Sequence, residues 1–343
     1  MANPKLDFFR FSLKHKSGNT KTFRQFMLDA GKCTSQQKDR TIFANMYKYF
    51  MERPTKDFAK NDSLKKVITL ISNPKGKIIN KYYDKRPQIK YPGCIISGVM
   101  NGGPYGKERI VTRLGKKDNA DNLATDQPVL QYYYIFVYLP LDHNEGFFMI
   151  HSDSNDESIT KSARNYIAEL FKLGDYQKPI MTSFAPKKFW EEYKKGATLM
   201  SMSFKSTMLD NQIEENDPIK TYMHEFDVKI TLAPKNKTNL NHLEPIKKYF
   251  ANKIFGNSSH NTKLDEFDKI LVNTKNVDTN SSKTFDWNNR DQELRPTVYL
   301  KDRIKLNDNG TPDFNSLDLF CHQLFNNDIL PELRSDLYVK RMD

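Results

Sequence analysis

Apolar positions recur at two spacings along this chain, and the switch between them marks its elements. Leu6 to Leu13 alternates and opens the chain as a strand. Thr22 to Ala30 has helical spacing, with Gly31 at its C-cap. A second helix is expected from a cap at Thr34 or Ser35 to Glu52, ended by Arg53-Pro54. Ile42, Phe43, Met46, Tyr47 and Phe50 form its apolar stripe, and Lys38, Arg40 and Lys48 lie mostly off that stripe. Leu64, Val67, Ile68 and Ile71 repeat at i, i+3, i+4, i+7 behind a cap at Asp62 or Ser63, which predicts a shorter helix.

From Asn73-Pro74-Lys75-Gly76 onward the period falls to two. Lys77 to Tyr83, Gly93 to Met100, Glu108 to Leu114, Val129 to Leu139 and Gly146 to His151 read as strands in sequential order, hence an antiparallel meander. Tyr132 to Leu139 is apolar at odd and even positions alike, which places it in the middle of the sheet. A helix over Ser158 to Leu173, a strand over Ile180 to Phe184, a helix over Pro186 to Lys195 and a strand over Thr198 to Lys205 follow. The polar stretch Ser206 to Lys220 reads as a loop and the best hinge. Beyond it come a strand over Tyr222 to Ala233, a helix over Leu243 to Phe255 and a strand near Lys269 to Val272. Asn276 to Lys283 reads as a loop, Val298 to Leu306 as a strand, and Ser316 to Leu330 as a helix stopped by Pro331. The expected class is α+β, an antiparallel meander with flanking helices. Lobes over residues 1–205 and 206–343 are the expected division, with a single domain as the alternative.

Charge changes the picture more than composition does. Residues 1 to 117 hold 26 Lys and Arg against 8 Asp and Glu, a net of +18, and the other 226 residues carry −6. A one-sided excess of this size serves attraction to a polyanion, and nucleic acid is the commonest one in a cytosol. The three cysteines, Cys33, Cys94 and Cys321, form no CxxC and no paired framework, as in a reducing compartment. Met1 to Phe11 lacks the apolar run of a secretory signal, and Pro128 to Leu141 is too short to span a bilayer. A cytoplasmic protein without membrane insertion is expected.

Within the basic third, Lys75, Lys77, Lys81, Lys85, Arg86, Lys90, Lys107, Arg109, Arg113, Lys116 and Lys117 are the candidate phosphate contacts. Tyr82, Tyr83, Tyr91 and Tyr105 are interleaved with them, as rings that can stack on unpaired bases or pack in the sheet. Gly98, Gly102, Gly103 and Gly106 with Lys107 do not have P-loop spacing, because Asn101 stands at the first glycine position and Glu108 after the lysine. They read as a hairpin turn. Glu225, Asp227 and Lys229 share one face of an alternating strand and match the second half of a PD-(D/E)xK nuclease signature, which would use Mg²⁺. Alternation of this kind is also what any half-buried strand shows. His151-Ser152-Asp153 with Asp156 and Glu157 reads as a helix N-terminus with capping acids. Cys321-His322 reads as a core thiol in an amphipathic helix, with no orienting acid near it in sequence.

The strand Glu225-Phe226-Asp227-Val228-Lys229-Ile230, then Pro234-Lys235-Asn236-Lys237, then a basic helix from Ile246 to Phe255, resembles part of the RexA-type phage-exclusion proteins. The mixed α/β order is similar to KwaB-type defence proteins. The resemblance implies a sequence-tolerant DNA-binding protein that responds to phage infection, without a defined catalytic site. The basic amino-terminal third lies outside it. The leading expectation is therefore duplex DNA binding through backbone charge, with no recognition helix, zinc finger, resident metal or cofactor. A metal-dependent nuclease and an adaptor for an acidic protein are the alternatives, and a protein partner or homo-oligomer stays open.

Overall fold

A computed structural model describes residues 4–71, 81–152, 158–206, 228–236, 238–239, 269–276, 281–286 and 298–339. In chain order its strands begin with β1 (Lys5–Ser12), β2 (Lys14–His15), β3 (Ala59–Asn61), β4 (Lys66–Thr69), β5 (Gln88–Lys90) and β6 (Ile95–Pro104). There follow β7 (Arg109–Arg113), β8 (Lys116–Leu123), β9 (Gln131–Tyr138), β10 (Glu145–Ser152), β11 (Tyr176–Gln177) and β12 (Thr182–Ser183). The remainder are β13 (Ala197–Ser206), β14 (Val228–Leu232), β15 (Thr238–Asn239), β16 (Lys269–Asn276), β17 (Ser281–Asp286) and β18 (Val298–Tyr299). The described helices are α1 (Phe23–Asp29), α2 (Asp39–Lys56), α3 (Thr160–Leu170), α4 (Lys187–Gly196), α5 (Phe314–Leu324), α6 (Leu330–Leu333) and α7 (Ser335–Val339). Two compact units result: residues 1–184 with 298–343, and residues 185–297. The expected line at 205/206 falls at the end of β13, and the C-terminal helices belong to the first unit because they pack on its sheet.

The first unit is built on an antiparallel sheet in the order β12-β1-β10-β9-β6-β4-β3, with β18 also on β1 and β5 also on β6. β6, β9 and β10 form the antiparallel run expected of Gly93–Met100, Val129–Leu139 and Gly146–His151, with β9 in its middle, whereas the expected strand at Glu108–Leu114 leaves this sheet and pairs as β7 with β8. Both faces are covered. Phe9, Phe11, Ile96, Tyr133, Ile135, Val137, Phe148 and Ile150 pack with residues of α1, α2 and α3 in one core. On the opposite face Phe136, Tyr138 and Phe147 surround Phe325, with ring centroids 4.9–5.9 Å apart.

Several local expectations are corrected. Residues 62–71 form no helix: β3 and β4 pair as a hairpin, turned by Lys65 in the left-handed region (φ 50°) and by Asn61, whose side chain accepts from Leu64 N–H at 3.1 Å. Consecutive β-branched Val67 and Ile68 suit a strand buried on both sides. Gly98, Gly102 and Gly103 lie buried within β6 and not in a turn. A Cβ on Gly103 would overlap the Val129 carbonyl, and Gly98 has φ 150° with Pro87 backbone against it. Tyr83–Lys85 is a 3-10 turn and no strand, and residues 72–80 lie outside the described set. Val298–Leu306 contributes only β18, while β17 begins inside the expected loop at 276–283.

Pro54 does not end α2. It stands in the last turn, which runs on to Lys56. A proline there removes the N–H that would bond to the Phe50 carbonyl. The Tyr166 hydroxyl of α3 donates to that carbonyl instead, and the Pro54 carbonyl accepts from Leu70 N–H (2.9 Å) and the Thr69 hydroxyl (3.2 Å). In the same way Pro331 does not stop the C-terminal helix: a π-helical turn at Phe325–Ile329 follows α5, and α6 contains the proline.

In the second unit the strand order is β14-β13-β16-β17, with β15 also on β13. Tyr193 of α4 packs with Met202, Phe204, Ile270, Val272 and Phe285, and its hydroxyl meets Thr274 at 2.8 Å.

Close approach at β6 makes a direct test. Gly103→Ala should lower stability by about 1–3 kcal/mol, as overpacking does. Urea unfolding should show a lower midpoint at unchanged slope. Gly31→Ala, at an open position with φ 64°, should cost less.

Candidate nucleic-acid interface

The eleven candidate cations divide among different places. Lys75 and Lys77 lie outside the described residues, and of the Arg113 and Lys117 side chains nothing is described. Lys81 is exposed and stands over Tyr82 at 5.3 Å, while Lys85 pairs with Asp84 at 3.6 Å. Arg86 lies over the Tyr83 ring at 4.7 Å. Lys107, Arg109 and Lys116 belong to the β7–β8 hairpin and its base. Tyr82 is packed edge-on against Tyr132 and Phe314, and Tyr105 donates to Asp62 at 2.6 Å, a bond to a carboxylate that pushes its pKa up to about 12.

Lys90 is committed elsewhere. Its ammonium reaches Asp318 Oδ2 at 2.9 Å and His322 Nε2 at 2.8 Å. Asp318 also accepts from Tyr134 at 2.7 Å and Ser97 at 3.2 Å. Ser, His and Asp thus meet, yet no hydrolytic relay forms, because Ser97 (3.1 Å) and Asp318 (3.5 Å) both approach the same nitrogen, Nε2. A relay needs the carboxylate on the other ring nitrogen. Burial alone would raise the Asp318 pKa, but hydrogen bonds from His322, Lys90 and Tyr134 outweigh it and hold the carboxyl well below its usual range. Cys321 is fully buried and its thiol is pushed up by burial, as a core thiol should be. The acid beside His322 was missed in the sequence although it stands one helical turn before it.

The residues that do converge lie on the outer face of α2. A groove of about 610 Å³ is lined by Lys32, Lys48, Lys56 and Arg86 with the rings of Tyr47, Tyr49 and Tyr83. Asn45, Glu52 and Thr55 complete its polar floor. The tyrosines are held in place: Tyr47 donates to the Pro87 carbonyl at 2.8 Å and Tyr49 to that of Leu170 at 2.7 Å. Burial raises both phenol pKa values, so the rings stay neutral. Lys32 sits over Tyr49 at 5.2 Å. One acid, Glu52, faces four cations, and it is paired with Lys56 at 2.8 Å. Of these residues only Arg86 and Tyr83 were among the sequence candidates. The missed signal is the polar stripe Asn45, Lys48, Glu52, Thr55, Lys56, which repeats at helical spacing opposite the apolar one.

A second cavity, about 500 Å³, is lined by Lys5, Lys66, Lys161 and Arg164 with Asp7. Two of its cations are engaged, Lys66 with the Ser158 carbonyl (2.6 Å) and Arg164 with that of Met181 (2.8 Å). In the second unit Lys229 lies opposite Lys205, which lies opposite Lys269 on its other side. Like charges directly opposite each other across strands weaken a sheet. Glu225 and Asp227 are outside the described residues, as is most of the stretch that resembles phage-exclusion proteins. Among the described residues no three His, Cys, Asp or Glu side chains cluster as metal ligands, and no helix is long and apolar enough to cross a membrane. No protein-family model, curated protein or solved structure matches this chain.

The Asp318 network predicts a specific pH dependence. Its lowered pKa contributes stability that is complete above the ordinary carboxyl value of 3.8 and is lost as pH falls below it. Asp318→Asn should therefore unfold more readily than the parent at neutral pH. The gap between the two should narrow below pH 3.8 in urea titrations at stepped pH.

Proposed function

We propose that this protein binds nucleic acid, with duplex DNA as the first substrate, through phosphate contacts that carry no base sequence. The observation that supports it best is the α2 groove, where Lys32, Lys48, Lys56 and Arg86 surround rigid tyrosine rings. Cations on a preset surface neutralise phosphates and release counterions, and rings at the same place stack on bases or sugars. The net of +18 over residues 1 to 117 adds long-range attraction. A cytosolic setting, with the phage-exclusion role that the resemblance implies, belongs to the same reading.

Fluorescence anisotropy with duplex DNA and with RNA, from about 50 to 200 mM salt, tests it. Log K should fall linearly with log salt, at a slope near −0.9 per phosphate contacted on DNA. Lys48→Ala should weaken binding equally on all sequences and reduce the slope by about one. Lys90→Ala should leave the slope unchanged, because its ammonium is spent on Asp318 and His322. Absence of binding at the lower salt, or a slope indifferent to Lys48, overturns the reading.

A further inference from the structure

The β7–β8 hairpin departs from the rest of the first unit. Among the described residues its two strands pair only with each other, from Arg109↔Leu123 to Arg113↔Lys116. Large apolar residues are elsewhere mostly buried, yet here Ile110 is 74%, Val111 48% and Leu114 105% exposed. Folding gains nothing from apolar side chains left in water, so they are placed for something other than the core. The segment Arg109-Ile110-Val111-Thr112-Arg113-Leu114-Gly115-Lys116-Lys117 also holds four cations and no acid. Exposed Asp118 and Asp121 come only behind it, on the return strand.

The apex is shaped in advance. Gly115 takes φ 82°, as the third position of a tight turn requires. The Thr112 hydroxyl is within 2.7 Å of the Lys116 carbonyl and 3.3 Å of that of Asn119, which braces the turn from inside. Leu114 thus stands at the tip of a stiffened ribbon, with Arg113 and Lys116 at paired positions directly behind it. The five paired residues of β7 extend about 17 Å, enough to enter a DNA groove, and a two-stranded ribbon has the width a major groove admits.

We infer that β7–β8 is a DNA-deforming arm: it enters a groove tip-first, the cations behind the tip meet phosphates, and Leu114 wedges between base pairs and bends the duplex. This rests on the nucleic-acid reading above and extends it from charge to shape. The chemistry follows the charge order. A cationic tip with an apolar apex complements a polyanion whose interior is a stack of apolar rings. The acids behind the tip oppose lying flat on an anionic surface and favour end-on entry. The tip is aliphatic and carries no Trp, Tyr or Phe, the residues that settle at a bilayer interface.

The full-length protein is compared with Leu114→Ser and Ile110→Ser on a short duplex labelled at its ends with a fluorescence donor and acceptor. 2-Aminopurine in a second duplex reports unstacking. Both side chains are exposed, so thermal unfolding should match the parent. The parent should bring the duplex ends closer and brighten 2-aminopurine. Leu114→Ser should lose both signals while its anisotropy affinity falls only a few-fold, and Ile110→Ser should keep both. Bending that persists in Leu114→Ser, or binding by the parent without any bend, overturns the wedge and leaves the nucleic-acid reading standing. No duplex binding at all overturns both. Phosphatidylserine vesicles are the control: sedimentation with them that depends on Leu114, without DNA bending, would assign the tip to a membrane and overturn the arm.

Discussion

Strand β9 has apolar side chains on both of its faces, and a strand of that kind must be covered twice. Tyr133, Ile135 and Val137 face the layer of α1, α2 and α3, while Tyr134, Phe136 and Tyr138 face the C-terminal helices. Antiparallel sheets commonly leave one face to water. Here that option is closed, and the C-terminal segment must return across more than a hundred residues to finish the core. Burying a Phe or Leu side chain contributes about 1.5–3 kcal/mol, so Phe325 among three rings is worth holding in register.

Polar groups supply that register. Asp318 and His322 of α5 meet Ser97, Lys90 and Tyr134 of the sheet, and buried Arg334 grips Asp142 and Asp336. Apolar contact alone would let α5 slide along the sheet. Directed bonds do not, and a broken one leaves a half-buried charge without its partner. The resemblance of Ser97, His322 and Asp318 to catalytic machinery is thereby explained without catalysis. Ser97 and Asp318 both approach Nε2, so the carboxylate stands at the wrong nitrogen for a relay.

What the sequence showed, it showed through period and charge. The central place of Tyr132 to Leu139 was legible because only a doubly buried strand tolerates an unbroken apolar run. The antiparallel succession of β6, β9 and β10 was legible from the turn residues between them, while the departure of β7 from the sheet was not. Leu64, Val67, Ile68 and Ile71 misled because four apolar residues at these spacings suit a helix as well as a strand, and the deciding partner, β6, is thirty residues away. Pro54 misled because its missing bond is replaced by Tyr166, from a helix more than a hundred residues on. In the candidate site, the sign of the charge was legible and its address was not. Cations picked as one row went to a groove (Arg86), a hairpin (Lys107, Arg109, Lys116) and a half-buried network (Lys90), since which face a cation joins depends on pairing that no local pattern encodes.

The β7–β8 insertion has a further consequence. β6 and β9 are hydrogen-bonded neighbours, and their ladder runs from Ile95↔Tyr138 to Gly102↔Gln131 whatever lies between them. Val129 N–H bonds to the Pro104 carbonyl and Gly106 N–H to that of Thr125, so the stalk is clamped where it leaves the sheet. Loop closure depends only weakly on loop length. Lengthening, trimming or exchanging everything beyond the clamp should therefore leave the sheet's register intact. The hairpin is in this sense a cassette, a part whose sequence is free to change at a rate of its own while the scaffold beneath it stays constrained.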